Sequence, residues 1–140
     1  ASLGKLGIKD NRPLLQALTR DPNSHVRASA TEGLIRLGDP SALTLATELA
    51  RHSDPSIRGA AAQALSASAE KDALAILQTL LQDQQPLPRL MAAKGLRKSS
   101  ESAIPLLVKR LQDSDEAVRI ASANSLLQQL TRLSSSKRRH

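Results

Sequence analysis

The amino-acid sequence predicts an all-α solenoid of stacked helix pairs, and three observations carry that expectation. A short motif recurs with a period of about 31 residues, the apolar positions within each period fall on one face of a helix, and the chain has no Phe, Tyr or Trp. Strands are normally enriched in aromatic and β-branched residues. A core of Leu, Ile, Val and Ala suits closely packed helices instead, and 140 residues suffice for one continuous core.

The motif is first met as VRASATEGL at 26–34 and returns as IRGAAAQAL at 57–65. Its arginine sets the register: Arg27, Arg58, Arg89 and Arg119, at intervals of 31, 31 and 30. Three residues after it come Ala30, Ala61, Ala92 and Ser122; six after come Gly33, Ala64, Gly95 and Ser125; seven after come Leu34, Leu65, Leu96 and Leu126. With the residue before the arginine, these offsets make one helical face, that of a helix termed B. Upstream, the sets Leu14–Leu45–Ile76–Leu107, Leu15–Ala46–Leu77–Val108 and Leu18–Leu49–Leu80–Leu111 repeat at 31 and define a helix termed A.

Taken in order, LGKLG at 3–7 aligns with LIRLG at 34–38, so residues 1–7 read as the end of a B helix whose first half is missing, and the chain as an excerpt from a longer array. Four A–B pairs are expected from there to residue 133. DPNS at 21–24 and SDPS at 53–56 turn A into B. Asp39–Pro40 and SSES at 99–102 offer N-cap chemistry for A helices. The third B helix is expected to begin at Pro88, where the other copies have Val or Ile. The segment 134–140, SSSKRRH, has no apolar residue to dock with and is expected to be a disordered basic tail.

DPNSHVRASATEGL, SDPSIRGAAAQAL and DSDEAVRIASANSL resemble HEAT repeats, in particular the short HEAT-like repeats of the phycobilisome (bilin) lyase type. DQQPLPRLMAAKGL departs from the pattern at Pro88. The resemblance implies a right-handed α-solenoid. It also implies a structural ladder in which the turn aspartates Asp21, Asp54, Asp83 and Asp113 and the arginines Arg27, Arg58, Arg89 and Arg119 lace neighbouring units together. On function the resemblance is nearly silent, because function is grafted onto such folds site by site.

Composition removes many functions. With no cysteine there is no disulfide framework, thiolate nucleophile or Cys-based metal site, which favours a reducing, cytoplasmic compartment. No apolar run approaches the roughly 18 residues of a membrane span. His25 and His52 lie at unmatched offsets from the arginine and His140 ends the chain, so no metal site or general base is expected. No GxSxG, Walker-type loop or HExxH occurs. Catalytic residues, metals and cofactors are therefore not expected, and the chain reads as a non-enzyme.

What remains is the surface. The net charge is +7, of which three units sit at Lys137, Arg138 and Arg139. Between Leu87 and Arg110 six cations face Glu101 alone, a balance of +5. Four B helices at about 8–10 Å spacing make a wall roughly 30 Å across, room for a peptide or a helix. The third repeat carries Met91, Lys94, Arg97 and Lys98 there, with Gln63 and Asn124 on the neighbouring rows. The expectation is a non-enzymatic protein–protein interaction scaffold whose B-helix face takes an acidic peptide or helix. Two alternatives stay open: a nucleic-acid module that binds the phosphate backbone, and a bilin-lyase-type subunit.

Overall fold

The computed structural model describes residues 11–98 and 101–138; the partial first unit at 1–7 lies outside the described residues. Among the described residues there are eight α-helices and no strand. The A helices are α1 (Arg12–Leu18), α3 (Ala42–Ala50), α5 (Lys71–Leu80) and α7 (Ile104–Arg110). The B helices are α2 (Ser24–Arg36), α4 (Pro55–Leu65), α6 (Pro86–Gly95) and α8 (Glu116–Arg138). Successive B helices lie in extensive contact, whereas successive A helices touch one another little, so the B layer is the tighter, inner side of the stack. The molecule is an all-α solenoid.

Short polar side chains start the B helices. The Asn23 carboxamide accepts from the His25 and Val26 amides, the Asp54 carboxylate from Ser56 N, and Asp115 Oδ1 from Val118 N. The end of α2 is set by Gly38, whose φ of 74° is the left-handed region that favours glycine. Its amide donates to the carbonyl of Ile35 and the Asp39 amide to that of Leu34, the pairing of a Schellman stop. Asp39 then turns the chain into α3 by accepting from both the amide and the hydroxyl of Ser41.

The B-helix columns sit where the periodicity puts them. Ala30, Ala61, Ala92 and Ser122 are buried, as are Leu34, Leu65, Leu96 and Leu126. The small column lets the B helices close up: a Cβ at Gly95 would stand 2.9 Å from Ser66 Cβ, and one at Gly59 would stand 3.1 Å from Leu87 Cγ.

Three expectations need correction. First, the fourth A helix is displaced by one residue. Leu107 is fully buried and Val108 is 50 % exposed. Leu107 therefore joins Ala46 and Leu77, and Ala103 joins Ala42 and Ala73, all of them buried. The single-residue deletion behind the 30-residue interval falls between Leu96 and Ala103, in the two 3-10 turns Leu96–Lys98 and Glu101–Ala103 and the segment joining them. Second, α6 starts at Pro86, not Pro88, and Pro88 is fully buried. The first amides of a helix have no intrahelical partner, so proline at its first and third positions costs no hydrogen bond. Third, the tail is helical as far as Arg138, with residues 139–140 outside the described residues. Ser, Lys and Arg carry on a helix already formed, and cations are favoured at its C-terminal end.

One buried group stands out against its column. Ser122 has no exposed surface and its hydroxyl no hydrogen-bond partner, at a position that holds alanine in the other three repeats. Ser122→Ala removes an unpaired buried polar atom and should stabilise the chain by about 1 kcal/mol, read as an upward shift of the urea midpoint at constant slope.

Candidate functional site

The repeated arginine closes its own turn and reaches into the next. Its Nη1 donates to the carbonyl six residues earlier in every repeat: Arg27 to Asp21 at 2.8 Å, Arg58 to His52 at 2.8 Å, Arg89 to Asp83 at 2.9 Å and Arg119 to Asp113 at 2.7 Å. The guanidinium then forks onto the following turn. Arg58 holds Asp83 through Nε and Nη2 at 2.7 and 3.0 Å, and Arg89 holds Asp113 at 2.9 Å through both nitrogens. These are bidentate, charge-assisted pairs. Arg110 adds a longer contact to Asp113 at 3.4 Å.

The ladder is thus partly the one implied by the family pattern. Asp83 and Asp113 are its rungs. Asp54 is not: it caps α4, and the position six residues before Arg58 is His52. Asp21 accepts from the Asn23 amide, and its backbone carbonyl serves Arg27. His52 takes over the local half of the aspartate's work, because its Nδ1 accepts from the Asp54 amide at 3.0 Å, as Asp83 accepts from the Gln85 amide. It cannot bind Arg27. Ser24 stands between them, accepting from Arg27 Nη2 at 2.6 Å and contacting His52 Nε2 at 3.3 Å. A Ser–His contact invites a nucleophile reading, but the geometry opposes it. A neutral ring that accepts at Nδ1 carries its proton on Nε2, so it cannot take one from Ser24.

Burial pushes the carboxyls of Asp83 and Asp113 up, yet both are held below the ordinary aspartate range. For Asp113 the hydrogen bonds from Arg89 and the Asp115 amide, with the charges of Arg89 and Arg110, outweigh burial; for Asp83, Arg58 and the Gln85 amide act with the charge of Arg89. Depressed carboxylates add stability that is fully present above the unfolded value of about 3.9 and lost as pH falls through the folded one.

The second feature is a groove between α6 and α8, a cavity of about 370 Å³. Lys94 and Arg97 stand on one side and Asn124 and Gln128 on the other, over Leu90, Ala117, Ile120, Ala121 and Ser125. Of the six residues expected at a partner site, Lys94, Arg97 and Asn124 converge here. The other three do not. Met91 is half-buried, packs on the core and approaches α4 near Gly59. Gln63 lies exposed on α4. Lys98 falls outside α6, which stops at Gly95, so it does not share a helical face with Lys94. It lines a separate cavity of about 190 Å³ with Arg36, Ser66 and Ser68, which Arg97 also borders.

Leu90 and Ile120 were not foreseen as site residues. A signal existed: the position after the arginine reads Ala28, Gly59, Leu90, Ile120, and it becomes large just where the groove opens.

Two predictions follow from the ladder's geometry. Arg89→Ala should cost on the order of 3 kcal/mol, because it takes the bidentate partner from the buried Asp113 carboxylate and leaves it the longer Arg110 contact and the Asp115 amide. Arg58→Ala should cost about 1–3 kcal/mol, and Arg36→Ala less than about 0.5, since Arg36 makes only an exposed i,i+4 pair with Glu32; urea melts would rank them. Stability should also fall below about pH 4, and Asp83→Asn with Asp113→Asn should flatten that acid limb in melts run across pH.

A family model for HEAT repeats matches residues 11–97 and 77–135. No curated protein matches the chain. The repeated helix pairs, the arginine ladder and this match across most of the sequence make the chain a member of the HEAT-repeat family.

Proposed function

We propose that the chain is a non-enzymatic interaction module whose α6–α8 groove binds an amphipathic helix or peptide carrying acidic residues. HEAT repeats generally serve as protein-interaction scaffolds, and the observation that carries the finer reading is the groove's lining. An apolar floor at Leu90 and Ile120 is flanked by two cations and two amides, and none of the described residues lining it is acidic. Such a lining accepts apolar side chains in the middle and carboxylates along the Lys94–Arg97 edge. The open groove suits a segment lying along it better than a small enclosed ligand.

The phosphate-backbone reading has less support. Arg36, Arg58, Arg89 and Arg110 are all engaged with carboxylates, so the net charge is not presented as a continuous basic stripe. For a lyase-type subunit, the chain offers no aromatic ring to lie against a tetrapyrrole. No helix among the described residues is long and apolar enough to cross a membrane.

The test is binding of a labelled acidic amphipathic peptide, followed by fluorescence anisotropy. Lys94→Glu with Arg97→Glu should weaken binding by at least tenfold, about 1.4 kcal/mol or more, with helicity unchanged. Lys98→Glu should leave it nearly intact. Equal losses in both would move the site to the neighbouring cavity, and displacement of the peptide by duplex DNA of any sequence would favour the nucleic-acid reading.

A further inference from the structure

The cavity of about 190 Å³ beside Lys98 lies inside the array, with residues of the first three repeats around it. The position nine after the repeated arginine reads Arg36, Ala67 and Lys98 in those repeats. A small side chain in the middle copy therefore stands between two cations. With neighbouring B helices about 8–10 Å apart, the rows of Arg36 and Lys98 are roughly 16–20 Å apart. Both side chains nevertheless line this one cavity, reaching towards each other across Ala67. Arg97 closes a third side.

These cations keep most of their charge for a ligand. Arg97 donates from Nη1 to the Lys94 carbonyl at 3.1 Å, which fixes the guanidinium without cancelling its charge. Among the described residues Lys98 is paired with no carboxylate. Arg36 has Glu32 at 3.1 Å, an exposed i,i+4 pair of the kind that holds its partner weakly. Helix C-termini favour cations, which accounts for Arg36 at the end of α2. It does not account for Lys98, which lies past the end of α6. Ser68 adds a neutral donor: its Oγ accepts from the Glu70 amide at 3.1 Å, so its own proton is left for a ligand. Ser66 adds none, because its hydroxyl donates to the Gln63 carbonyl at 2.5 Å. No acidic side chain among the described residues lines the cavity.

We propose that this cavity binds the dianion of a phosphate monoester. A carboxylate offers two oxygens in one plane. A phosphoryl group offers three acceptor oxygens and close to twice the charge, which suits donors that converge from three directions. Arg97 also borders the α6–α8 groove. A phosphorylated side chain on a segment lying in that groove is therefore one source of the ligand, and free phosphate is the other. The cavity needs no peptide in the groove to be filled, so the two sites stand or fall separately.

Phosphoserine and inorganic phosphate, each titrated into the isotope-labelled chain at constant ionic strength, test the proposal by nuclear magnetic resonance. Saturable shifts are expected at the Ser68 and Ala69 amides and at the Arg97 side chain. Arg36→Gln with Lys98→Gln should weaken binding at least tenfold with the circular dichroism unchanged, both side chains being exposed. Arg20→Gln, at an exposed cation just past α1, should leave it intact. No histidine lines the cavity, so phosphoserine should bind more tightly as pH rises through its second ionisation at about 6. The acidic amphipathic peptide, made with and without one phosphoserine, separates the sources. At least tenfold tighter binding of the phosphorylated form, lost in the double variant, assigns the ligand to a partner segment. Binding of the small phosphates with no such gain assigns it to free phosphate. No saturable shift from either small ligand, together with no gain in the peptide, overturns the proposal. So does binding that the double variant leaves unchanged, or that Arg20→Gln abolishes, or that duplex DNA phosphodiesters match at equal ionic strength.

Discussion

The architecture depends on one side chain used twice. The B-helix arginine ties its guanidinium to the carbonyl six residues back, which fixes the shape of the A–B turn. The remaining nitrogens of Arg58 and Arg89 fork onto the next turn's aspartate, which fixes the distance to the following repeat. Local geometry and repeat spacing therefore come from one rigid planar group. Its planarity and five donors explain why lysine could not stand in its place.

The small residues answer that constraint from the other side. When the spacing is held by a short bidentate contact, the facing helices must have room to come together, and Ala61, Ala92, Gly59 and Gly95 supply it. The price of close stacking is a wall with few side chains large enough to grip anything. At the third and fourth repeats the position after the arginine becomes Leu90 and then Ile120, and a groove opens between α6 and α8. The binding surface is thus a local relaxation of the packing rule that builds the rest of the array.

Much of this was legible in the sequence, because a solenoid repeats its physics. Once Arg27, Arg58, Arg89 and Arg119 were aligned, the buried columns of the B helices followed, and so did the helix pairs. The failures share a cause: each is a place where one repeat departs from the others. A deletion in the segment after Leu96 shifts α7 by one residue, which spacing alone could not locate. The early end of α6 takes Lys98 off the helix, so that two lysines four residues apart do not share a face. Asp54 lies two residues from the ladder column, close enough to be mistaken for a rung. The candidate site was half readable, since its cations stood out by charge while its apolar floor looked like ordinary core.

The histidine in the ladder column has a mechanical consequence. Repeats two, three and four are joined by buried or half-buried ion pairs, Arg58–Asp83 and Arg89–Asp113. At the first junction the turn-to-turn contacts are instead neutral, Ser24 with His52 and His25 with Ser56, and the ion pair of α1 Arg12 with Asp39 is longer, at 3.7 Å, with Arg12 partly exposed. In a quasi-one-dimensional stack, each junction carries its own coupling, and opening begins at the weakest. The first helix pair is therefore the one that peels away under load or on warming, leaving a three-pair remainder still laced together. Amides of α1 and α2 would exchange with solvent through that partial opening, while those of α4 and α6 wait for the whole chain to come apart.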